Sequence, residues 1–86
     1  MSDVVIYTRA MCGYCSRAKR LLTAKGVAFQ EIDATFDRAK RAEMIERADG
    51  RATYPQIFIG DRHIGGCDEL YALERAGELD LMLQPA

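Results

Sequence analysis

Few side chains in this sequence can do redox or metal chemistry: Cys12, Cys15, Cys67 and the single histidine, His63. Cys12 and Cys15 stand three apart in "TRAMCGYCSRAKR", at what reads as the start of a helix. Such a pair can be a redox couple, half of a metal site, or two inert buried thiols. If the helix opens at about Gly13, Cys12 lies at its cap. Unpaired backbone N–H groups and the positive end of the helix macrodipole there favour thiolate over thiol, and Arg9 and Arg17 add positive charge nearby. Cys15, one turn on, belongs to the apolar side of the helix and is expected to be more buried and less ionised. The two thiols are then unequal, an attacker and a resolver. A disulfide across so small a loop contributes little stability and stays easy to reduce.

The metal alternative has a complete ligand set on paper. Cys12, Cys15, His63 and Cys67 supply three thiolates and one imidazole, which permits tetrahedral zinc. Against it, the two halves lie much further apart than the ~15–20 residues usual in compact zinc modules. His63 by itself reads as an exposed strand residue. The residues alone favour the redox couple, with zinc and inert thiols still open.

The elements that must position these groups follow from the hydrophobic pattern. "DVVIYT" is a β-branched and aromatic run that suits a strand buried on both faces. From Gly13 to Lys25, Cys15, Ala18, Leu21 and Leu22 recur at helical spacing, and Gly26 stops the helix. "VAFQEID" reads as a second strand, completing a parallel βαβ unit. Asp37 is a candidate N-cap for a largely solvated helix, "RAKRAEMIERA". "QIFI" and "RHI" flank Gly60-Asp61 as an antiparallel hairpin. "DELYALERAGELDLML" is a closing helix interrupted at Gly77.

Composition sets the outer bounds. With 86 residues, 49% hydrophobic and 29% charged, the chain reads as one globular domain over residues 1–86 rather than a disordered segment. Twelve Lys and Arg nearly cancel thirteen Asp and Glu, so no long-range field draws in nucleic acid or an anionic membrane surface. No run approaches a membrane span, and "MSDVVIYTRA" does not read as a signal peptide, so a cytoplasmic location is expected. Three cysteines, an odd number, make a stapled disulfide framework an unsuitable reading.

Taken together, "YTRAMCGYCSRAKRLL", "ATYPQIFIG" and "HIGGCDELYAL" resemble the glutaredoxin family in its short, bacterial dithiol form, across essentially the whole chain. The resemblance implies an α/β, thioredoxin-like fold of order βαβ-α-ββα, with a four-stranded mixed sheet flanked by helices. It implies a glutathione-dependent thiol-disulfide oxidoreductase in which Cys12 and Cys15 form the redox-active disulfide. Its partners would be glutathione, as electron donor, and protein disulfides or glutathionylated proteins.

By the same resemblance Pro55 is a cis proline that turns the backbone of Tyr54 toward the active site, with Thr53 shaping the pocket near Cys12. Gly65 and Gly66 let the chain approach glutathione closely. The N–H groups of Cys67 and Asp68 would hold its γ-glutamyl carboxylate, and the Asp68 side chain its α-amino group. Arg9 matches the basic position that pairs with the glycine carboxylate, and Tyr14 the aromatic that walls the groove. The plainer alternatives are that Asp68 is only an N-cap and Thr53 only a turn residue. Cys67 reads as a buried or backbone-contributing cysteine, with a regulatory thiol as the alternative.

Two letters depart from the family pattern. Gly13 replaces a common proline, which restores an N–H and loosens the helix start by ~1 kcal/mol. Tyr54 stands where valine is usual. Some members with a small residue at the Gly13 position hold a [2Fe-2S] cluster between two subunits, each giving its first active-site cysteine, here Cys12, and a glutathione. A monomer is therefore expected, with a dimer only if a cluster is bound.

Overall fold

A computed structural model describes residues 3–84. Its elements run β1 (Val4–Thr8), α1 (Gly13–Ala24), β2 (Gln30–Asp33), α2 (Arg38–Arg47), β3 (Gln56–Ile59), β4 (Arg62–Gly65), α3 (Cys67–Arg75) and α4 (Leu79–Leu83). The sheet order is β2-β1-β3-β4, with β1 parallel to β2 and both β1–β3 and β3–β4 antiparallel. This is the four-stranded mixed sheet flanked by helices of the thioredoxin-like fold.

Period-two alternation explains why the central strands read as continuously apolar. Val4, Ile6, Ile57 and Ile59 point to one face and pack with Ala18 and Leu22 of α1, Leu70 of α3 and Leu79 of α4. Tyr7 and Phe58 point to the other and pack with Met44 and Ala48 of α2. The Tyr7 hydroxyl donates to Glu43 at 2.5 Å and accepts from Arg47 at 2.9 Å, so the thin apolar stripe of α2 is supplemented by a polar clamp.

Helix ends follow chemistry visible in the sequence. The Asp37 carboxylate accepts the N–H of Lys40 at 3.0 Å and caps α2. At the end of α1, Gly26 (φ +72°) donates to Thr23 and Val27 donates to Leu22, the paired bonds of a Schellman stop. That stop also accounts for a difference from the expected strand "VAFQEID". The Val27 N–H is spent on the helix end, so pairing with β1 begins only at Gln30, opposite Val5. The closing helix is divided by the same device at Gly77, whose N–H bonds Glu74 while that of Glu78 bonds Leu73. Lys25 then ties the pieces together, with Nζ 2.7 Å from Glu74 and 2.9 Å from Asp80. Among the described residues no helix is long and apolar enough to cross a membrane.

Candidate active site

Cys12 is held at the mouth of α1 by the loop that leaves β1. The N–H of Ala10 donates to Thr35 Oγ1 at 2.7 Å, and Thr35 is fixed in turn by Asp33 Oδ1, which accepts its N–H at 2.9 Å. Met11 adopts φ +57° and turns the chain so that Cys12 enters in extended geometry as the N-cap. Its Sγ accepts the N–H of Cys15 at 3.2 Å, taking the role a serine or aspartate oxygen usually plays. A cap donor and the helix dipole both stabilise negative charge on that sulfur.

The other two thiols are in different surroundings. Cys15 is 2% exposed and Cys67 5%, whereas Cys12 is half-buried. Burial, reinforced by its hydrogen bond with Cys12, pushes the Cys15 thiol from an ordinary 9.0 up to about 12. Burial also pushes the Cys67 thiol up. All three cysteines are free thiols. Cys12 is therefore the more accessible sulfur of the pair, and Cys15 lies beneath it as a protonated partner.

Beside Cys12 runs a groove of about 210 Å³. One wall is the Thr53–Tyr54–Pro55 segment, in which the Tyr54–Pro55 peptide is cis, and the other is Gly66, Cys67 and Asp68 at the start of α3, with Tyr14 between. The Cys12 thiol faces the carbonyl of Tyr54 at 3.9 Å, which joins this sulfur to the groove. The two walls nearly touch, since a Cβ on Gly66 would lie 3.3 Å from the Pro55 carbonyl oxygen. Arg9 lies across the loop with its guanidinium 5.4 Å from the Tyr54 ring centroid, where a cation–π contact holds it. The candidate site residues thus line two neighbouring depressions, joined where Cys12 faces the Tyr54 carbonyl. Arg9, Cys12 and Cys15 sit on one side, the seven groove residues on the other.

The reading of His63 needs correction, and two of the alternatives raised from the sequence find no geometry to support them. Gly66, not Asp68, is the N-cap of α3, and Asp68 is an exposed residue of its first turn. His63 is not an exposed strand residue. It is half-buried, stacked on Phe58 at 5.0 Å between ring centroids, and its Nε2 lies 2.6 Å from Gln56 Oε1. The zinc set is not assembled either. Among the described residues no three His, Cys, Asp or Glu side chains converge on a metal position.

Two groove residues went unrecognised in the sequence, Arg51 and Glu69. Glu69 Oε1 accepts the Gly66 N–H at 2.7 Å and pairs with Arg51 at 3.0 Å, and the Gly66 bond foremost holds its carboxyl below the usual carboxylate range. A glutamate three residues into a helix, reaching back to the N-cap N–H, is half of a capping box and could have been read. Arg51 lies in a loop stretch, "DGRAT", with no local signal. Once Gly66 is capped by Glu69, Cys67 and Asp68 are the first-turn residues left on the groove, at the positive end of α3.

The arrangement suits an anionic, thiol-bearing ligand laid along the groove. The glutaredoxin family model matches residues 4–64. The chain is 57% identical over 84 residues to glutaredoxin 3 of Escherichia coli, covering 98% of this chain and all of that one. Among solved structures, the glutaredoxin of Brucella melitensis is 61% identical at TM-score 0.84, covering 96% of this chain and 89% of the other. A buckwheat glutaredoxin–glutathione complex is 36% identical at TM-score 0.85, covering 95% of this chain and 76% of the other.

Proposed function

This chain belongs to the glutaredoxin family, and from that premise we propose that it is a glutathione-dependent thiol-disulfide oxidoreductase of the cytoplasm. It works as a monomer on glutathionylated proteins and protein disulfides. The observation that carries the proposal is the Cys12 thiol, capping α1 while facing the Tyr54 carbonyl at the edge of the groove.

In the forward half-reaction the Cys12 thiolate attacks the glutathione sulfur of a mixed disulfide. The old S–S bond breaks, the substrate sulfur leaves as a thiolate that takes up a proton, and Cys12 is left glutathionylated. The thiolate of a second glutathione then attacks the glutathionyl sulfur, giving oxidised glutathione and the free Cys12 thiolate. With a protein disulfide, Cys12 attacks first and Cys15 resolves the mixed disulfide, forming the Cys12–Cys15 bridge that two glutathiones later reduce.

Glutathione, as substrate, is oriented by the groove. The backbone of Tyr54 offers an added-strand pairing to its cysteine residue. Cys67 and Asp68 offer backbone N–H groups to the γ-glutamyl carboxylate, the Asp68 carboxylate takes the α-amino group, and Arg9 takes the glycine carboxylate. Gly66 keeps that wall low, and Tyr14, Thr53 and Pro55 complete the trough.

A direct check is steady-state reduction of a glutathionylated peptide by glutathione. Asp68→Ala should raise the apparent KM for glutathione by ~10-fold or more, the scale of one charge-assisted hydrogen bond. An unchanged dependence on glutathione would remove Asp68 from the ligand site.

A secondary reading is a glutathione-ligated [2Fe-2S] dimer. The donor chemistry suits it, because Cys12 is a partly exposed free thiol. Cys12 would be the protein ligand, and the cluster would supply one-electron chemistry.

A further inference from the structure

The buried amide of Gln56 decides more than the packing of β3. Its side chain is 0% exposed, and its Nε2 lies 2.9 Å from the Thr53 carbonyl oxygen and 3.0 Å from Thr53 Oγ1. A carbonyl oxygen can only accept, so the amide nitrogen must face Thr53 and the amide oxygen must face the other way. That oxygen, Oε1, is 2.6 Å from His63 Nε2. Two acceptors cannot share that distance, so the histidine nitrogen carries the proton.

We propose that His63 is a positioning residue for the glutathione groove. It donates its Nε2–H to Gln56, which locks the amide so that Gln56 in turn fixes Thr53 and the Tyr54–Pro55 wall facing Cys12. This extends the proposed function and rests on it for its kinetic readout. The chain of contacts is continuous. His63 is held in plane by stacking on Phe58, its cross-strand partner. Gln56 spans the cis-proline segment from behind, and Thr53, Tyr54 and Pro55 form the groove wall in front. Burial and the nearby Arg51 guanidinium lower the His63 pKa, so the ring is neutral near pH 7 and its tautomer is a real choice. Without the donor, the buried Gln56 oxygen loses its partner and the amide has no fixed orientation.

Because the protein has one histidine, the test is direct. Long-range ¹H–¹⁵N NMR of the untagged, reduced protein at pH 8 should give the pattern of a neutral ring protonated at Nε2. A ring protonated at Nδ1 overturns the proposal. Kinetically, His63→Phe keeps the stacked ring and removes the donor. It should raise KM for a glutathionylated peptide by ~10-fold, equivalent to about 1.4 kcal/mol, with kcat within about twofold. His63→Gln, which restores an N–H donor, should recover most of that loss. A His63→Phe protein that is less heat-stable but unchanged in KM would make His63 a packing residue only, and overturn the proposal. If the wild-type protein itself shows no glutathione-dependent turnover, the proposed function fails, and the NMR tautomer still decides the contact.

Discussion

Iodoacetamide at pH 8 should label Cys12 and spare Cys15, although the two lie on adjacent turns of one helix. Raising a thiol from 9.0 to about 12 lowers its thiolate fraction at pH 8 from about one in ten to about one in ten thousand, a ~1,000-fold loss. A more basic thiolate is also a better nucleophile. With a Brønsted slope of ~0.45, three pKa units recover ~20-fold, leaving a net suppression of ~50-fold before access is considered. Cys15 is only 2% exposed, which lowers the rate further. Both cysteines fall in one tryptic peptide, Ala10–Arg17, so a time course by tandem mass spectrometry reads singly and doubly labelled forms together. The singly labelled peptide should form first, with its label on Cys12. The doubly labelled form should appear at least ~50-fold more slowly. Labelling of Cys15 within a few-fold of Cys12 would refute the view that burial decides their roles. If the expected ratio holds, it has a mechanistic consequence. A resolving thiol that seldom ionises leaves time for glutathione to reach the Cys12 mixed disulfide first, which favours the single-cysteine route.

Two further outcomes follow from the same structure. Gly65 has φ +113°, and a Cβ there would sit 2.5 Å from Glu69 Oε1 and 2.9 Å from Arg51 Nη1. Gly65→Ala should therefore displace the cap on Gly66 as well as strain the backbone. Together these cost roughly 2–3 kcal/mol, or ~8–24 °C in thermal midpoint, and a change below ~2 °C by calorimetry would contradict it. The second concerns pH. A folded-state thiol raised to about 12 from 9.0 stabilises the fold fully below pH 9 and loses that contribution as pH climbs from 9 toward 12. Urea titrations between pH 8 and 11 should show stability declining, with a shallower decline in Cys15→Ser. Identical slopes would mean that folding does not raise the Cys15 thiol above its ordinary value.

What the sequence disclosed and what it withheld divide along physical lines. Local, periodic features were legible. Cys12 as a cap, Cys15 on the buried stripe, Asp37 as an N-cap and the Gly60-Asp61 hairpin all follow from spacings of a few residues. The start of β2 was misjudged because Val27 is apolar for a different reason: it packs against the core while closing the end of α1. His63 was misread because alternation in a three-residue run says nothing about Phe58 and Gln56 across the hairpin. Arg51 was invisible for the same reason, since its partner Glu69 is eighteen residues away. The groove could be assembled from motifs only through the family resemblance. Nothing in the spacing of Thr53, Tyr14 and Asp68 brings them to one trough. That requires the sheet order to place β3 next to β1 and α3 beside α1.

The central claim is that Cys12 alone attacks, with Cys15 a dispensable resolver for glutathione mixed disulfides. It is tested most directly by measuring reduction of a glutathionylated peptide with Cys12→Ser and Cys15→Ser proteins side by side. Cys12→Ser should have no activity above the uncatalysed rate. Cys15→Ser should retain most of it while losing most turnover on a protein disulfide. Wild-type activity in Cys12→Ser, or loss of the mixed-disulfide reaction in Cys15→Ser, would contradict the assignment of nucleophile and resolver.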